Sequence, residues 1–404
     1  MPRLVEINAA CNSGGTGRIA EAVGVLAQNA GWEVLYVHGA RYVYPSLLPT
    51  WTVQPRWLDY LHYGLSLLTG HHGLFSRLTT RRMIRHLRRF RPDIVHLHNV
   101  HGYYLNYPLL FQYLREADIP VVWTWHDCWS MTGHCAYYST ETGVCEAWKT
   151  ACHECPKLRD YPRSLVDSSK SDFLLKKQLF CAVDKLTIVP VSYWMERNVQ
   201  QSFLKDKPTR VIRNGINLQA FYPRENREAL RGQWGIDGSK YVLLGVATQW
   251  NARKGYSDIL SLAQMPECQL VLVGLTKQQR LALPEGVIGI EHTESMDQLA
   301  QLYSLADLFV NPTYSDTFPT TNLEALACGT PVLTYITDGS PETLDDSVGV
   351  VVERGNKQAL QDAVRCLQTH PLDRKACAAF AQERYDRDKC FYPYMQLFNQ
   401  LLNT

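Results

Sequence analysis

Asp316 and Glu324 stand eight residues apart in the stretch Asn311-Pro312-Thr313-Tyr314-Ser315-Asp316-Thr317-Phe318-Pro319-Thr320-Thr321-Asn322-Leu323-Glu324, which continues through Ala325-Leu326-Ala327-Cys328-Gly329-Thr330-Pro331-Val332. Thr317-Phe318-Pro319 makes a turn, a helix follows, and Gly-Thr-Pro leads into an apolar strand. One carboxylate then lies on a loop before a helix start and the other lies along the helix. Carboxylates accept hydrogen bonds from hydroxyl groups, and a helix start with its loop amides attracts phosphate. A second stretch, Trp250-Asn251-Ala252-Arg253-Lys254-Gly255, follows a strand and opens a helix. Its two cations could hold phosphates and stabilise charge growing on them.

The N-terminal half carries its own polar strand ends. Gly14-Gly15-Thr16-Gly17-Arg18 joins the first strand to the first helix, where a glycine turn lets a ligand approach closely. His96-Leu97-His98-Asn99 ends the third strand, and Thr124-Trp125-His126-Asp127 ends the next. His96 and His98 alternate, so both point to one face.

The stretch Asn311–Val332 resembles the E-x7-E signature of family 4 glycosyltransferases, with Asp316 in place of the first Glu. Val211-Ile212-Arg213-Asn214-Gly215-Ile216-Asn217 resembles the family's interdomain hinge. The resemblance implies the GT-B fold, an α/β architecture of two doubly wound parallel-sheet (Rossmann-like) domains facing across a cleft. It implies a retaining transfer of a sugar from a nucleotide-sugar donor by front-face displacement, with no metal required for catalysis. By the same resemblance His126, Lys254 and Asp316 are the catalytic candidates. Gly15, Arg253, Lys254, Thr317, Phe318 and Glu324 bind the donor, Glu324 through the ribose. His98, Asn99 and Asp127 lie on the acceptor side. The family's second phosphate-binding Arg is replaced here by Thr248. Pro319 has no backbone N–H to offer a donor. The resemblance is strongest to bacterial enzymes of capsular, exopolysaccharide or O-antigen synthesis, whose acceptors are saccharides, often on a polyprenyl diphosphate.

Two other readings stand beside it. Gly15, Gly17 and Ala20 match G-x-G-x-x-A, which suits an NAD-dependent oxidoreductase. That motif wants an acid at the end of the second strand, and this one ends Tyr36-Val37-His38-Gly39. A non-catalytic sugar-nucleotide-binding module is the other; intact Lys254, Asp316 and Glu324 argue against it.

Between the fourth and fifth strands, in an insertion over about 128–156, Cys135, Cys145, Cys152 and Cys155 have the spacing C-x9-C-x6-C-x2-C. One C-x2-C knuckle and two further cysteines suit a structural zinc site, with Cys128 and His134 as spare ligands. From Arg77 to Arg91 there are seven arginines and no acid, interleaved with Leu78, Met83, Ile84, Leu87 and Phe90. This reads as a basic amphipathic helix suited to peripheral contact with an anionic membrane.

These residues need elements to position them. Apolar, β-branched runs at Leu4–Asn8, Glu33–His38, Asp93–His98, Val121–His126 and Leu186–Val191 predict one parallel sheet. Runs at Tyr241–Ala247, Gln269–Gly274, Val287–Ile290, Leu308–Asn311, Pro331–Tyr335 and Gly349–Val352 predict another. The expected domains are 1–208 and 209–385, joined through Lys205–Asn214 and Asn226–Ser239, with 386–404 a helix crossing back to the first domain. The 404 residues suffice for two substantial cores, and a net charge of +2 gives no bulk attraction to nucleic acid. The start, Met-Pro-Arg-Leu-Val-Glu, lacks a secretory apolar segment, so a cytoplasmic protein is expected, possessing thiols rather than a disulfide framework. Cys11, Cys181, Cys268, Cys366 and Cys390 read as small core residues.

Overall fold

Val121–Trp125 reads Val-Val-Trp-Thr-Trp, and every side chain in it is buried. Such runs form strands covered on both faces, the mark of a parallel sheet with helices on each side. The computed structural model describes residues 1–403 and divides into two α/β units. One comprises Met1–Tyr138, Val144–Arg213 and the chain from Phe391 onward; the other comprises Ser139–Gly143 and Asn214–Cys390.

The first unit is built from β1 (Arg3–Asn8), α1 (Gly14–Asn29), β2 (Glu33–His38), β3 (Thr50–Thr52), α2 (Arg56–Thr69), α3 (Arg77–Phe90), β4 (Ile94–Leu97), α4 (Tyr107–Ala117) and β5 (Val121–Trp125). A short hairpin of β6 (Ser139–Thr140) and β7 (Gly143–Val144) precedes α5 (Ser169–Cys181), β8 (Leu186–Pro190) and α6 (Tyr193–Gln201). Its six strands run parallel in the order β3-β2-β1-β4-β5-β8. The edge strand β3 was not expected; at three residues, half-exposed, it has no apolar run to announce it.

The second unit contains α7 (Arg227–Gln233), β9 (Tyr241–Val246), α8 (Tyr256–Ser261), β10 (Cys268–Val273), α9 (Lys277–Leu281), β11 (Ile288–Ile290), α10 (Met296–Leu305), β12 (Leu308–Asn311), α11 (Thr320–Ala327), β13 (Val332–Tyr335), β14 (Gly349–Val352), α12 (Lys357–Thr369) and α13 (Arg374–Arg384). Its sheet is also parallel, ordered β11-β10-β9-β12-β13-β14. Asn226–Ser239, expected as connection, contains α7 instead. Arg227 and Arg231 each reach Asp307 at 2.7 Å and bond the carbonyl of Leu305, so the helix is clamped to this unit. The last helix, α14 (Arg387–Leu402), begins in the second unit and joins the first from Phe391. There Tyr394 and Phe398 pack on His96, with ring centroids 5.1 and 5.5 Å away.

Each sheet reverses its strand order once, between β1 and β4 in the first unit and between β9 and β12 in the second. The loops leaving adjacent strands diverge there and open a crevice at the carboxyl ends. Gly15 and His98 follow β1 and β4; Lys254 and Asp316 follow β9 and β12.

Candidate active site

In the second unit, Asn251 accepts a hydrogen bond from the Lys254 N–H at 3.0 Å and caps the turn Ala252–Lys254. Gly255 closes that turn at φ +72°, and a Cβ there would lie 2.0 Å from the Pro312 carbonyl oxygen. Only glycine permits this approach, which brings the cation-bearing turn onto the loop after β12. Two bonds complete the junction: the Tyr314 N–H donates to the Arg253 carbonyl at 2.7 Å, and Arg253 Nη1 donates to the Ser315 carbonyl at 2.7 Å.

Lys254 Nζ then meets Asp316 Oδ2 at 2.7 Å, with 19% and 21% of the two side chains exposed. Burial pushes the lysine below its ordinary pKa, while the adjacent carboxylate works in the opposite direction. The result is a cation held at the rim of the crevice by one partner that an anionic ligand could replace. Eight residues on, Glu324 is buried in α11, where Tyr303 donates to its Oε2 at 3.0 Å.

Thr317 and Phe318 are both buried. The ring of Phe318 packs near Tyr385, and its carbonyl accepts from Asn214 Nδ2 at 3.2 Å. Phe318 therefore braces the loop, and its side chain does not extend into solvent. Three neighbours were missed. Asp338, in the loop after β13, accepts from the Ser315 hydroxyl. Burial, with Asp316 adding to it, raises its pKa to about 7 against the Ser315 bond. Gly339 N–H donates to the Asp316 carbonyl at 3.2 Å. Asn322 ties the loop down, accepting from Asn311 at 2.8 Å and donating to Thr343 at 2.8 Å. The one local signal was the run Thr337-Asp338-Gly339-Ser340-Pro341, polar turn residues at a strand end.

In the first unit, α1 starts at Gly14 with no side-chain cap and no acid in its first turn. Gly15 is exposed there, and a Cβ on it would meet nothing within 4 Å. His98 and His126 stand just past β4 and β5, with their rings stacked and His98 Nδ1 2.9 Å from His126 Nε2. Behind them lies Glu6, a wholly buried acid in the middle of β1. Burial raises its pKa, and His98 acts against that. Glu6 accepts from His98 Nε2 at 3.0 Å and from His96 Nδ1 at 2.9 Å; His96 Nε2 meets Thr124 Oγ1 at 2.8 Å, which meets Tyr394 Oη at 2.8 Å. With Glu6 as acceptor, His98 Nδ1 receives the Nε2–H of His126, and the tautomers follow in sequence. Glu6, His96 and His98 have ligand atoms within 4.8 Å of one another. Each is taken up by these bonds, so the group forms a hydrogen-bond relay.

Asp127 is a buried carboxylate just past β5. It accepts from His101 Nε2 at 2.8 Å and from the Trp129 N–H at 3.0 Å. Burial alone would raise its pKa, but these partners hold it below the ordinary carboxylate value. Asn99 is half-buried, its N–H donating to Asn8 Oδ1 at 3.2 Å.

A model described as Glycosyltransferase Family 4 matches residues 13–220, just over half of the chain, and one described as Glycosyl transferases group 1 matches 226–384. The chain belongs to glycosyltransferase family 4. It is 24% identical over 320 residues to glycosyl transferase WcaC, assigned to colanic acid biosynthesis in Escherichia coli (strain K12), covering 77% of this chain and 76% of that one. It is 31% identical over 180 residues to D-inositol 3-phosphate glycosyltransferase of Segniliparus rotundus, covering 40% and 39%. Among solved structures, the sucrose-phosphate synthase of Thermosynechococcus elongatus superposes with a TM-score of 0.72 at 19% identity over 100% of both chains. HepE of Anabaena, solved with UDP and glucose, superposes at 0.69 with 16% identity over 99% and 100%. The fold of this family 4 enzyme is GT-B, and the oxidoreductase and non-catalytic readings fall away.

The buried histidines set a pH dependence. Burial pushes His62, His96, His98 and His126 down to about 3. In the unfolded chain they titrate near ~6.5. Between these values the unfolded chain binds more protons, so their contribution is complete above about pH 6.5 and is lost progressively as pH falls toward about 3. The melting temperature of the first unit should fall between pH 7 and pH 5 with a slope of more than one proton. Calorimetry that finds a flat profile over that range would contradict the neutral network.

Proposed function

We propose that this glycosyltransferase is a retaining enzyme of the hexosyl type that uses a nucleoside diphosphate sugar and builds bacterial surface polysaccharide. The observation that carries the reading is the Lys254–Asp316 pair at the strand-order reversal, with Glu324 one helix turn and more beyond it. The diphosphate lies against Lys254, Arg253 and the α11 start, and Glu324 accepts hydrogen bonds from the ribose. As the bond from the sugar's anomeric carbon to the diphosphate oxygen breaks, the acceptor hydroxyl forms its bond on the same face and its proton passes to the leaving phosphate. Fixed cations stabilise the charge that grows on that group. In the first unit the remaining site candidate is His126, its ring bonded to His98, which Glu6 in turn holds.

Names among the similar proteins support this choice. HepE was solved with UDP-glucose, and WaaG, with a TM-score of 0.65 and 18% identity, is described as involved in lipopolysaccharide biosynthesis. The acceptor we propose is a saccharide on polyprenyl diphosphate, reached at the inner face of the plasma membrane. No helix among the described residues is long and apolar enough to cross a membrane. The arginines of α3 are exposed, but Met83 and Leu87 lie in the core, so its apolar stripe is used internally. Leu78 of α3 is exposed, and α2 adds the exposed apolar side chains Trp57, Leu61 and Leu68.

A thermal-shift screen against UDP-, GDP-, ADP- and dTDP-sugars, followed by transfer assays, tests the reading; no stabilisation by any of them contradicts it. Glu324→Ala should weaken nucleotide binding by about 10- to 100-fold, because a hydrogen bond to a charged group contributes about 1.5–3 kcal/mol. Unchanged affinity in calorimetry would remove the ribose role. Lys254→Ala should lower turnover by about 100-fold or more while the protein stays folded, as loss of one fixed charge-stabilising donor does. Normal turnover would refute the clamp. The protein should bind anionic vesicles at low salt and release them as salt rises. Replacing Arg81, Arg82, Arg85 and Arg88 with Gln should abolish that binding and leave sugar-nucleotide hydrolysis intact. Wild-type protein that ignores such vesicles makes the arginine face a solvated surface only.

A further inference from the structure

Four thiols that the transfer reaction leaves unused surround one cavity. Cys135, Cys145, Cys152 and Cys155 all line a space of about 10 Å³, together with His134 and Trp148. That volume suits one atom-sized guest. All four are free thiols; Cys135 and Cys152 are buried and the other two half-buried. We propose that they bind one zinc ion as a closed tetrahedral thiolate site, a role independent of the donor reading.

Donors already converge on the sulfurs. Gly133 N–H donates to Cys152 Sγ at 3.1 Å, and the backbone N–H of Lys157 bonds the Cys155 sulfur. A Cβ on Gly133 would lie 2.1 Å from the Ser169 carbonyl and 2.9 Å from Cys152 Cβ, so this approach requires glycine. Within the Cys152–Cys155 knuckle, Glu154 takes φ +47°, a left-handed conformation held by the tight turn.

Two buried groups stand near the sulfurs. His134 is 2% exposed, and neither ring nitrogen has a hydrogen-bond partner among the described residues. A thiolate would accept its N–H, as groups around metal sites do. Lys176 is 1% exposed, with Nζ donating to the carbonyls of Trp129 at 2.7 Å and Thr132 at 2.9 Å. Its charge acts on Cys135 and Cys152 and would offset the negative charge of four thiolates. The sulfurs encircle the cavity and are wider apart than a bound group, since no three of them have sulfurs within 4.8 Å of one another. Zinc would draw them in to bonds of about 2.3 Å. The loop so fastened leaves directly from Asp127, where Cys128 N–H donates to the Ala136 carbonyl at 2.9 Å.

The test uses the full chain purified from zinc-supplemented medium. Elemental analysis should find about one zinc per chain, and zinc X-ray absorption should find about four sulfur neighbours near 2.3 Å. Cys152→Ser and Cys155→Ser should each lose most of the zinc, whereas Cys366→Ser, on the exposed face of α12, should keep it. Should the serine variants fail to fold, mercurial titration of the wild type decides: zinc release should follow modification of four protected thiols. Wild-type protein with less than about a tenth of a zinc per chain, a shell without sulfur, or a disulfide among the four cysteines in mass spectrometry would overturn the site.

Discussion

A parallel strand covered on both faces has no water to offer a polar side chain, so polar chemistry is confined to strand ends or must bring its own partners. That constraint organises both units. In each, the sheet reverses order once, and the polar residues gather on the loops that diverge there. Glu6 is the exception that shows the rule's cost. It sits mid-strand with no exposure, and two histidines form the bonds that water would have made, one of them backed by a threonine and a tyrosine from the last helix.

The same logic explains the charge arrangement after β9 and β12. Lys254 is mostly buried, and Asp316 supplies its counter-charge. Asp316 is in turn held by backbone contacts from Gly339, and Asp338 lies beside it with a pKa near neutrality. A diphosphate entering this crevice would meet a cation already desolvated and already aimed. Little reorganisation would remain for the moment when charge grows on the leaving group.

Most of this was legible in the chain. The strands appear as apolar runs, and eleven of the predicted ones stand within a residue or so of their places. The motif residues Lys254, Asp316 and Glu324 sit where the loop-and-helix pattern put them. What escaped depends on pairing across long separations. Glu6 reads as an interruption of an apolar run, and only His96 and His98, ninety residues on, give it meaning. Asp127 pairs with His101, 26 residues back along the chain, which no local pattern announces. The stripe on α3 could face a membrane or the sheet, and Met83 and Leu87 chose the sheet. Cys366, expected in the core, is exposed because it falls on the outer face of α12. Periodicity names a face but not its neighbour.

The central claim is that the donor nucleotide binds on the loops of the second unit. Hydrogen exchange with and without the best-stabilising sugar nucleotide tests it most directly. Slowed exchange confined chiefly to amides of 251–256 and 315–324 is the expected result. Protection only elsewhere, with those two segments unchanged at saturating nucleotide, would contradict it.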